Sequence, residues 1–402
     1  MTINLKLKNL LAVALLSSFG SFAAESAQEN SQESESLAPE ATTTEAELSF
    51  RDIPLLEKAF IDTTPTAKEG ALPVGELGVD GGEKANIVKL AEEIADGKHG
   101  KYDSLLIAHK GKLLFESYYK RGRINLAHPQ ASATKAYTSL ILGRAMQMGY
   151  LTMADLDKPL VSFLKDLDPT KFVEGAEKIT LHMAMTMRSG IRLTDEQRKK
   201  LEENPEVLKG QGLVQAWLEN TTPITDESQS YLYSFDPDLV MQVIEAVVPG
   251  TAEDFIKNEL LDKLGITNYS WDTHVSGVPQ SGWMVSMTSR DMLKWGSLAL
   301  NNGKWNGEQL VSAEYLAKAT SVLVKPTPTD WMPDTYRYGY YWYHTPITVG
   351  DKSYNATFAW GGGDQRIIVV EELDLTIVFT GHDGEDKLMT QVSNIVLPTF
   401  AE

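Results

Sequence analysis

The sequence contains no cysteine among its 402 residues. This absence excludes disulfides, a thiolate nucleophile, cysteine-ligated zinc and iron–sulfur clusters. Basic residues are also scarce, since 37 lysines and arginines face 55 aspartates and glutamates, for a net charge of −18. Because phosphate binding needs clustered cations, we expect neither nucleic acid nor an anionic membrane surface as a partner. Hydrophobic residues make up 42% of the chain, which is enough for a globular core.

The N-terminal segment contains one short apolar run, Leu10 to Phe19. This run is about half of the roughly 20 residues that a membrane-spanning helix needs. Two lysines precede it and small residues follow it, which is the arrangement of a secretory signal peptide. No cysteine follows the run, so a bacterial lipid anchor is excluded as well. We therefore predict a signal peptide over residues 1–24 and a periplasmic or secreted protein without a membrane anchor.

The next segment, residues 25–50, has seven glutamates and no basic residue. A composition this polar cannot bury enough apolar surface to offset the entropy lost on ordering. The segment is therefore predicted to be an acidic disordered linker. Residues 51–402 contain neither an internal repeat nor a second linker, and they are predicted to form one domain.

Apolar periodicity in this domain predicts both strands and helices. Two β-hairpins are expected, one over residues 105–118 and one over residues 366–380. A long helix is expected from Ser132 to Tyr150, helices dominate the middle of the chain, and a last helix covers about residues 387–397. Strands near both ends and a helical middle predict an α+β fold. In this fold the two chain ends complete one sheet and the middle forms a helical lobe against it.

Several motifs of known chemistry are absent. The sequence has no G-x-S-x-G nucleophile elbow, no H-E-x-x-H zinc motif, no phosphate-binding GK[ST] loop and no calcium loop. Its seven histidines are scattered singly. A lone histidine is more often a hydrogen-bonded structural residue than a metal ligand. We therefore predict neither a metal nor a cofactor.

One nucleophile motif remains, the S-x-x-K tetrad that begins at Ser132 and ends at Lys135. A serine hydroxyl is a weak nucleophile until a nearby base takes its proton. On a helix, residues three positions apart lie on the same face, which places Lys135 one turn from Ser132. Burial and the positive end of a helix dipole both lower the pKa of a lysine, and backbone N–H groups at a helix start can stabilise an oxyanion. The tetrad therefore predicts nucleophilic catalysis at the start of a helix.

Two further S-x-x-K matches occur, Ser117 to Lys120 and Ser162 to Lys165. Ser117 falls on a predicted strand, where residues three apart point to opposite faces. Ser162 lies in a short apolar stretch of a loop-rich region. Only Ser132 opens a long amphipathic helix, and this context selects it.

The sequence around Ser132 resembles the serine β-lactamase and penicillin-binding-protein superfamily. It is most similar to the branch of class C β-lactamases, related esterases and nylon-oligomer hydrolases. The resemblance spans about residues 85–398. It is carried by five ordered segments, which are residues 132–139, residues 149–151 with 156–159, residues 179–182 with 187–190, residues 287–292 and residues 338–342. It implies a β-lactamase/DD-peptidase-like fold, an antiparallel sheet flanked by terminal helices plus a helical lobe, and catalysis through an acyl-enzyme on Ser132.

The resemblance also implies a catalytic tyrosine whose phenol shares proton transfer with Lys135. Tyr233 fits this position, and Tyr231 is the competing choice. The family's Y-x-N pattern has Phe235 in place of its asparagine. An amide that binds substrate is therefore missing, which argues against penicillin-type recognition.

Residues 359–365, Ala-Trp-Gly-Gly-Gly-Asp-Gln, take the place of the family's K-T-G or H-T-G strand. They resemble the W-G-G of the esterase branch and the G-x-x-G-Q of the nylon-oligomer branch. By this resemblance the N–H of Gly362 completes an oxyanion hole with the N–H of Ser132. The substrate-binding residues that it implies are Trp360, Gly361 and Gly363. The absent lysine or histidine would hold a substrate carboxylate, so an ester or amide without that carboxylate is expected.

Aromatic residues near the third segment are expected to line an apolar pocket for an acyl or alcohol group. They are Trp342 and Trp360, with Tyr338 and Tyr340.

These features predict an exported serine hydrolase that cleaves an ester or amide bond of a small molecule. Three alternatives stay open. The first is a D-alanyl-D-alanine carboxypeptidase or β-lactamase, the second is a hydrolase of short amide oligomers, and the third is a catalytically silent binding module. Phe235 and the altered third segment give the last alternative some weight. The oligomeric state also stays open.

Overall fold

The computed structural model describes residues 37–382 and 387–401. The predicted signal peptide lies outside these residues. The strands are β1 (Phe60–Asp62), β2 (Tyr102–His109), β3 (Lys112–Tyr118), β4 (His128–Pro129), β5 (Tyr269–Trp271), β6 (Val285–Met287), β7 (Lys304–Trp305), β8 (Glu308–Gln309), β9 (Arg337–Tyr338), β10 (Tyr343–Val349), β11 (Lys352–Gly361), β12 (Gln365–Val370) and β13 (Leu375–Gly381).

Twelve α-helical segments accompany them in the described part of the chain. They are α1 (Thr43–Ala46), α2 (Lys84–Ala95), α3 (Thr134–Gln147), α4 (Leu181–Met185), α5 (Asp195–Glu202), α6 (Gly212–Asn220), α7 (Asp236–Val247), α8 (Ala252–Ile256), α9 (Ser289–Leu300), α10 (Ala313–Ala319), α11 (Leu388–Gln391) and α12 (Leu397–Phe400). A π-helical turn, Val392–Val396, joins α11 to α12, so the predicted last helix is present. None of the described helices is long and apolar enough to cross a membrane.

The main sheet has eight strands in the order β1-β3-β2-β13-β12-β11-β10-β9, and each named pair in it is antiparallel. Its two central hairpins are the two that the sequence predicts. They join through β2 and β13, with Ile107 opposite Ile377. The two ends of the domain therefore complete one sheet, as predicted for an α+β fold.

Helices cover both faces of this sheet. Side chains alternate along β13, so Thr376 and Phe379 lie on opposite faces. On one face α9 approaches closely through Gly296, where an added Cβ would lie 2.5 Å from Thr376 Cγ2. On the other face the Phe379 ring packs on Tyr102, whose hydroxyl donates to Gln391 of α11. The continuous burial of β2 follows from this coverage, since each of its residues is buried.

The structure corrects the predicted linker at its C-terminal end. Contacts of Ala38, Ala41 and Phe50 hold this end of the segment against the domain, although most residues between them are exposed. The Asn125 side chain accepts from the Ala41 N–H at 2.7 Å and donates to the Ala41 carbonyl at 3.0 Å. Thr42 and Glu45 form a reciprocal capping box at the start of α1. A few specific polar contacts thus order a segment whose overall composition indicates disorder.

Candidate active site

Ser132 lies in a 3-10 turn, Ala131–Ala133, that leads directly into α3. The Gln130 side chain fixes the approach to this turn. Its amide donates to the His128 carbonyl at 2.7 Å and accepts from the Tyr137 hydroxyl at 2.7 Å. The predicted helix therefore begins as a 3-10 turn and becomes α-helical at Thr134.

Lys135 is buried beneath Ser132 in the first turn of α3, with 7% of its surface exposed. Its Nζ donates to Ser132 Oγ at 3.0 Å and to the Gly282 carbonyl at 2.9 Å. The sequence predicts this juxtaposition, whereas Gly282 lies 147 residues further along the chain and was not predicted. Such a short contact places Nζ where it can take the hydroxyl proton when the serine attacks.

Tyr233 is the tyrosine that the structure brings to this pair. Lys135 Nζ lies 4.8 Å from the centroid of its ring, and Tyr233 lines the same cleft as Ser132. The competing Tyr231 does not line that cleft and packs edge-on against Tyr338, at 5.4 Å between ring centroids. Burial raises the pKa of the Tyr231 phenol.

Asp236 fixes the turn that carries Tyr233. Its carboxylate accepts from the Ser189 N–H at 3.0 Å, the Ser189 hydroxyl at 2.7 Å and the Ser234 hydroxyl at 2.7 Å. Burial raises the pKa of Asp236, an effect that these hydrogen bonds oppose. The neighbouring Phe235 is 52% exposed and borders a second cavity of about 310 Å³. Phe235 therefore places a hydrocarbon ring where the family has the amide of an asparagine.

A second buried carboxylate lies behind the lysine. Asp238 of α7 accepts a hydrogen bond from the Ser281 hydroxyl. Ser281 directly precedes Gly282, whose carbonyl accepts from Lys135. Burial raises the pKa of Asp238, while the charges of His274 and Lys135 act in the opposite direction. Sequence reasoning missed Asp236 and Asp238 because short-range spacing does not reveal contacts with Ser189 and Ser281.

The third predicted segment forms the turn between β11 and β12. Gly361 pairs with Gln365, which leaves a three-residue loop, residues 362–364. Gly363 has φ of 81° and Asp364 has φ of 69°, both in the left-handed region. A Cβ on Gly361 would lie 2.2 Å from the Gln130 carbonyl oxygen and 3.1 Å from the Ala133 nitrogen. Only glycine lets this strand end lie against the turn of Ser132.

Gly362 and Gly363 line the cleft together with Ser132. The cleft has a volume of about 980 Å³. Its other described lining residues are Tyr233, Thr329, Asp330, Trp331, Pro333, Tyr336, Tyr343, Trp360, Asp364, Met389 and Thr390. No lysine, arginine or histidine occurs among these residues.

The aromatic pocket differs in part from the prediction. Trp360 lines the cleft, but Trp342, Tyr338 and Tyr340 are almost completely buried and do not line it. The aromatic wall is supplied instead by Trp331, whose ring lies edge-on to Tyr233 at 5.6 Å and to Trp360 at 5.4 Å. Trp331 lies in a proline-rich loop without periodicity, so no sequence pattern indicates its position.

No group of three or more histidines and acidic residues is arranged to hold a metal ion within residues 37–382 and 387–401. The site brings together a serine, a lysine, a tyrosine and a glycine-rich loop around one cleft.

Comparison with known proteins identifies the family and the fold. A family model described as beta-lactamase matches residues 89–388. No curated protein is significantly similar in sequence. A candidate 6-aminohexanoate-dimer hydrolase from Bacillus anthracis has a similar structure, with a TM-score of 0.61 and 18% identity over 84% of this chain and 90% of that one.

Two other solved structures share the architecture. A D-stereospecific amidohydrolase from Streptomyces sp. gives a TM-score of 0.56 at 15% identity, over 76% of this chain and 98% of that one. A penicillin-binding protein homologue from Caulobacter crescentus gives a TM-score of 0.56 at 13% identity, over 74% of this chain and 91% of that one. At these identities the similarity establishes the fold.

Proposed function

The chain belongs to the beta-lactamase family, and on that premise we propose that it is an exported serine hydrolase that cleaves an ester or amide bond through an acyl-enzyme on Ser132. The observation that carries the proposal is the hydrogen bond from Lys135 Nζ to Ser132 Oγ, 3.0 Å long, at the floor of the cleft. A buried lysine placed beneath a serine at the start of a helix is suited to act as its base.

In the proposed first step, Ser132 Oγ attacks the carbonyl carbon of the substrate and its proton passes to Lys135 Nζ, which acts as the general base. The carbonyl oxygen becomes an oxyanion, which the backbone N–H groups of Ser132 and Gly362 stabilise. The bond to the alcohol or amine then breaks, and Tyr233 with Lys135 returns the proton to that leaving group. A water molecule attacks the acyl-enzyme with the same proton transfers in reverse, which releases the acid and restores Ser132.

The proposed substrate carries no carboxylate beside the scissile bond. Trp360 stands where the family has lysine or histidine, and the charged side chains among the described residues lining the cleft are Asp330 and Asp364. Arg366 is completely buried, lies 4.0 Å from the Trp360 ring and does not line the cleft. Phe235 supplies no amide for an acylamino group. These features favour neutral, apolar acyl esters or amides over penicillins and D-alanyl-D-alanine peptides.

Export is proposed on the sequence of residues 1–24, whose charged start, short apolar run and small residues suit a signal peptide. An N-terminal sequence that begins near residue 25 in protein recovered from the periplasm or medium would support it. A chain that retains residues 1–24 there would contradict it.

A substrate panel tests the choice of substrate. We expect kcat/KM for p-nitrophenyl butanoate to exceed that for the cephalosporin nitrocefin by at least about 10-fold, because a charged hydrogen-bond partner for the cephalosporin carboxylate is missing. Butanoic acid p-nitroanilide has the same acyl group, but its leaving group is attached through nitrogen instead of oxygen. Comparison of the two substrates therefore separates esterase from amidase activity. Turnover of nitrocefin as fast as that of the ester would contradict the proposed substrate class.

A further inference from the structure

A buried carboxylate outside the proposed catalytic group connects the two sides of the cleft. Asp103 near the start of β2 is fully buried. One carboxylate oxygen is hydrogen-bonded to His128 Nε2 at 3.2 Å and to His382 Nδ1 at 2.9 Å, and the other accepts from the Arg121 N–H at 3.0 Å. Burial alone raises the pKa of Asp103, but the hydrogen bonds from the two histidines lower it to about 2. The carboxylate is therefore an anion at neutral pH.

The first histidine connects Asp103 to the turn of Ser132. His128 lies in β4, four residues before Ser132, and its carbonyl accepts from the Gln130 side chain at 2.7 Å. The Gln130 carbonyl in turn accepts from the Ala133 N–H at 3.2 Å. His128 thus contacts Asp103 through its ring and the chain that enters the nucleophile turn through its carbonyl.

The second histidine connects Asp103 to the loop of residues 362–364. His382 directly follows Gly381, the last residue of β13. The Gln365 side chain, which is buried, donates to the Gly381 carbonyl at 2.6 Å and to the Gly363 carbonyl at 3.1 Å. A Cβ on Gly363 would lie 3.4 Å from His382 Cα, so the loop rests directly on the backbone of this histidine.

We infer that Asp103 is a positioning residue which, through His128 and His382, sets the separation between the Ser132 turn and the 362–364 loop. The inference rests on the proposed function, in which these two segments supply the two oxyanion donors. Such donors act only when both lie within about 2.7–3.1 Å of the oxyanion. A displacement of about 1 Å can cost on the order of 10²-fold in rate. Asp103 is bonded to the two histidines that lead to these segments, and this shared anchor resists that displacement.

The test replaces His382, which is partly exposed. The variant His382→Leu removes the hydrogen bond to Asp103, and we expect it to lower kcat for p-nitrophenyl butanoate by roughly 10- to 100-fold. Its KM should change by less than about threefold, because the oxyanion contacts strengthen only in the transition state. The variant His382→Asn places an amide N–H where Nδ1 lies, so it should restore kcat to within about threefold of the wild type.

Two controls separate positioning from a general loss of structure. His99 makes a comparable contact with the Glu93 carboxylate at 2.8 Å, and His99→Leu should leave kcat unchanged. Thermal unfolding of each variant reports folding. If His382→Leu does not fold, His382→Gln takes its place as the loss variant. The glutamine side chain is polar, but its extra methylene moves the amide away from the position of Nδ1 and so from Asp103.

Equal kcat for wild type and the loss variant would overturn the inference, and so would failure of His382→Asn to restore it. Failure of the proposed function would give a different result, because the wild type itself would then neither turn over esters nor react covalently at Ser132.

Discussion

Replacement of Lys135 by methionine is expected to lower kcat/KM for p-nitrophenyl butanoate by about 10³-fold or more, because loss of a positioned base removes proton transfer from the nucleophile. Methionine has nearly the length of lysine and fills the same buried space, but it cannot take the proton from Ser132 Oγ. It also leaves the Gly282 carbonyl without the donor that holds it at 2.9 Å. Steady-state ester hydrolysis by the purified variant measures the loss.

Two companion variants make the result specific. Lys135→Arg keeps the positive charge but cannot act as a base, because a guanidinium does not deprotonate in proteins. It should be nearly as inactive as the methionine variant. A kcat/KM above about one tenth of the wild-type value would contradict the assigned role of Lys135 as the base. Lys294 is also buried and donates to the Gly265 carbonyl at 2.8 Å. Lys294→Met should lower stability while the folded protein keeps its kcat.

The second large effect is expected at Gly361. In Gly361→Ala the new Cβ would lie 2.2 Å from the Gln130 carbonyl oxygen and 2.9 Å from Gln365 Cβ. Neither neighbour is the end of a flexible side chain, so the strand end and the Ser132 turn must move apart. Because this movement separates the two proposed oxyanion donors, we expect kcat for the ester to fall by on the order of 10²-fold.

The adjacent glycine provides a matched control. A Cβ on Gly362 meets no heavy atom within 4 Å, and Gly362→Ala keeps the backbone N–H. Because the Gly362 N–H stays in place, we expect Gly362→Ala to lose roughly 10-fold less kcat than Gly361→Ala. Equal losses in the two variants would contradict the argument from close packing and would indicate that any side chain in this loop blocks the cleft.

Much of the architecture follows from local pattern. The two central hairpins and the helix after Ser132 are predicted because strand alternation, turn residues and helical spacing are properties of short segments. The pairing of Ser132 with Lys135 is predicted for the same reason, since one helical turn fixes it. The proximity of Tyr233 depends on the resemblance, because its contact with Lys135 spans 98 residues.

The remaining parts of the site depend on long-range contacts that no local pattern encodes. Trp331 reaches the cleft from a loop, whereas the predicted Trp342 follows a buried turn and is completely enclosed. Asp236 and Asp103 are ordinary acidic residues in the sequence, and their importance appears only when Ser189 or the two histidines pack against them. The hydrogen bonds that hold Ala41 likewise come from Asn125, which lies 84 residues further along the chain.

The most direct test of an activated Ser132 is the intact mass of the purified protein after exposure to a fluorophosphonate, measured beside the Ser132→Ala variant. Fluorophosphonates phosphonylate a serine whose proton is taken by a neighbouring base, and an unactivated serine does not react at a comparable rate. We expect one adduct on the wild type and none on the variant. No adduct on either protein, or the same adduct on both, would contradict nucleophilic catalysis by Ser132 and would favour a binding role for this fold.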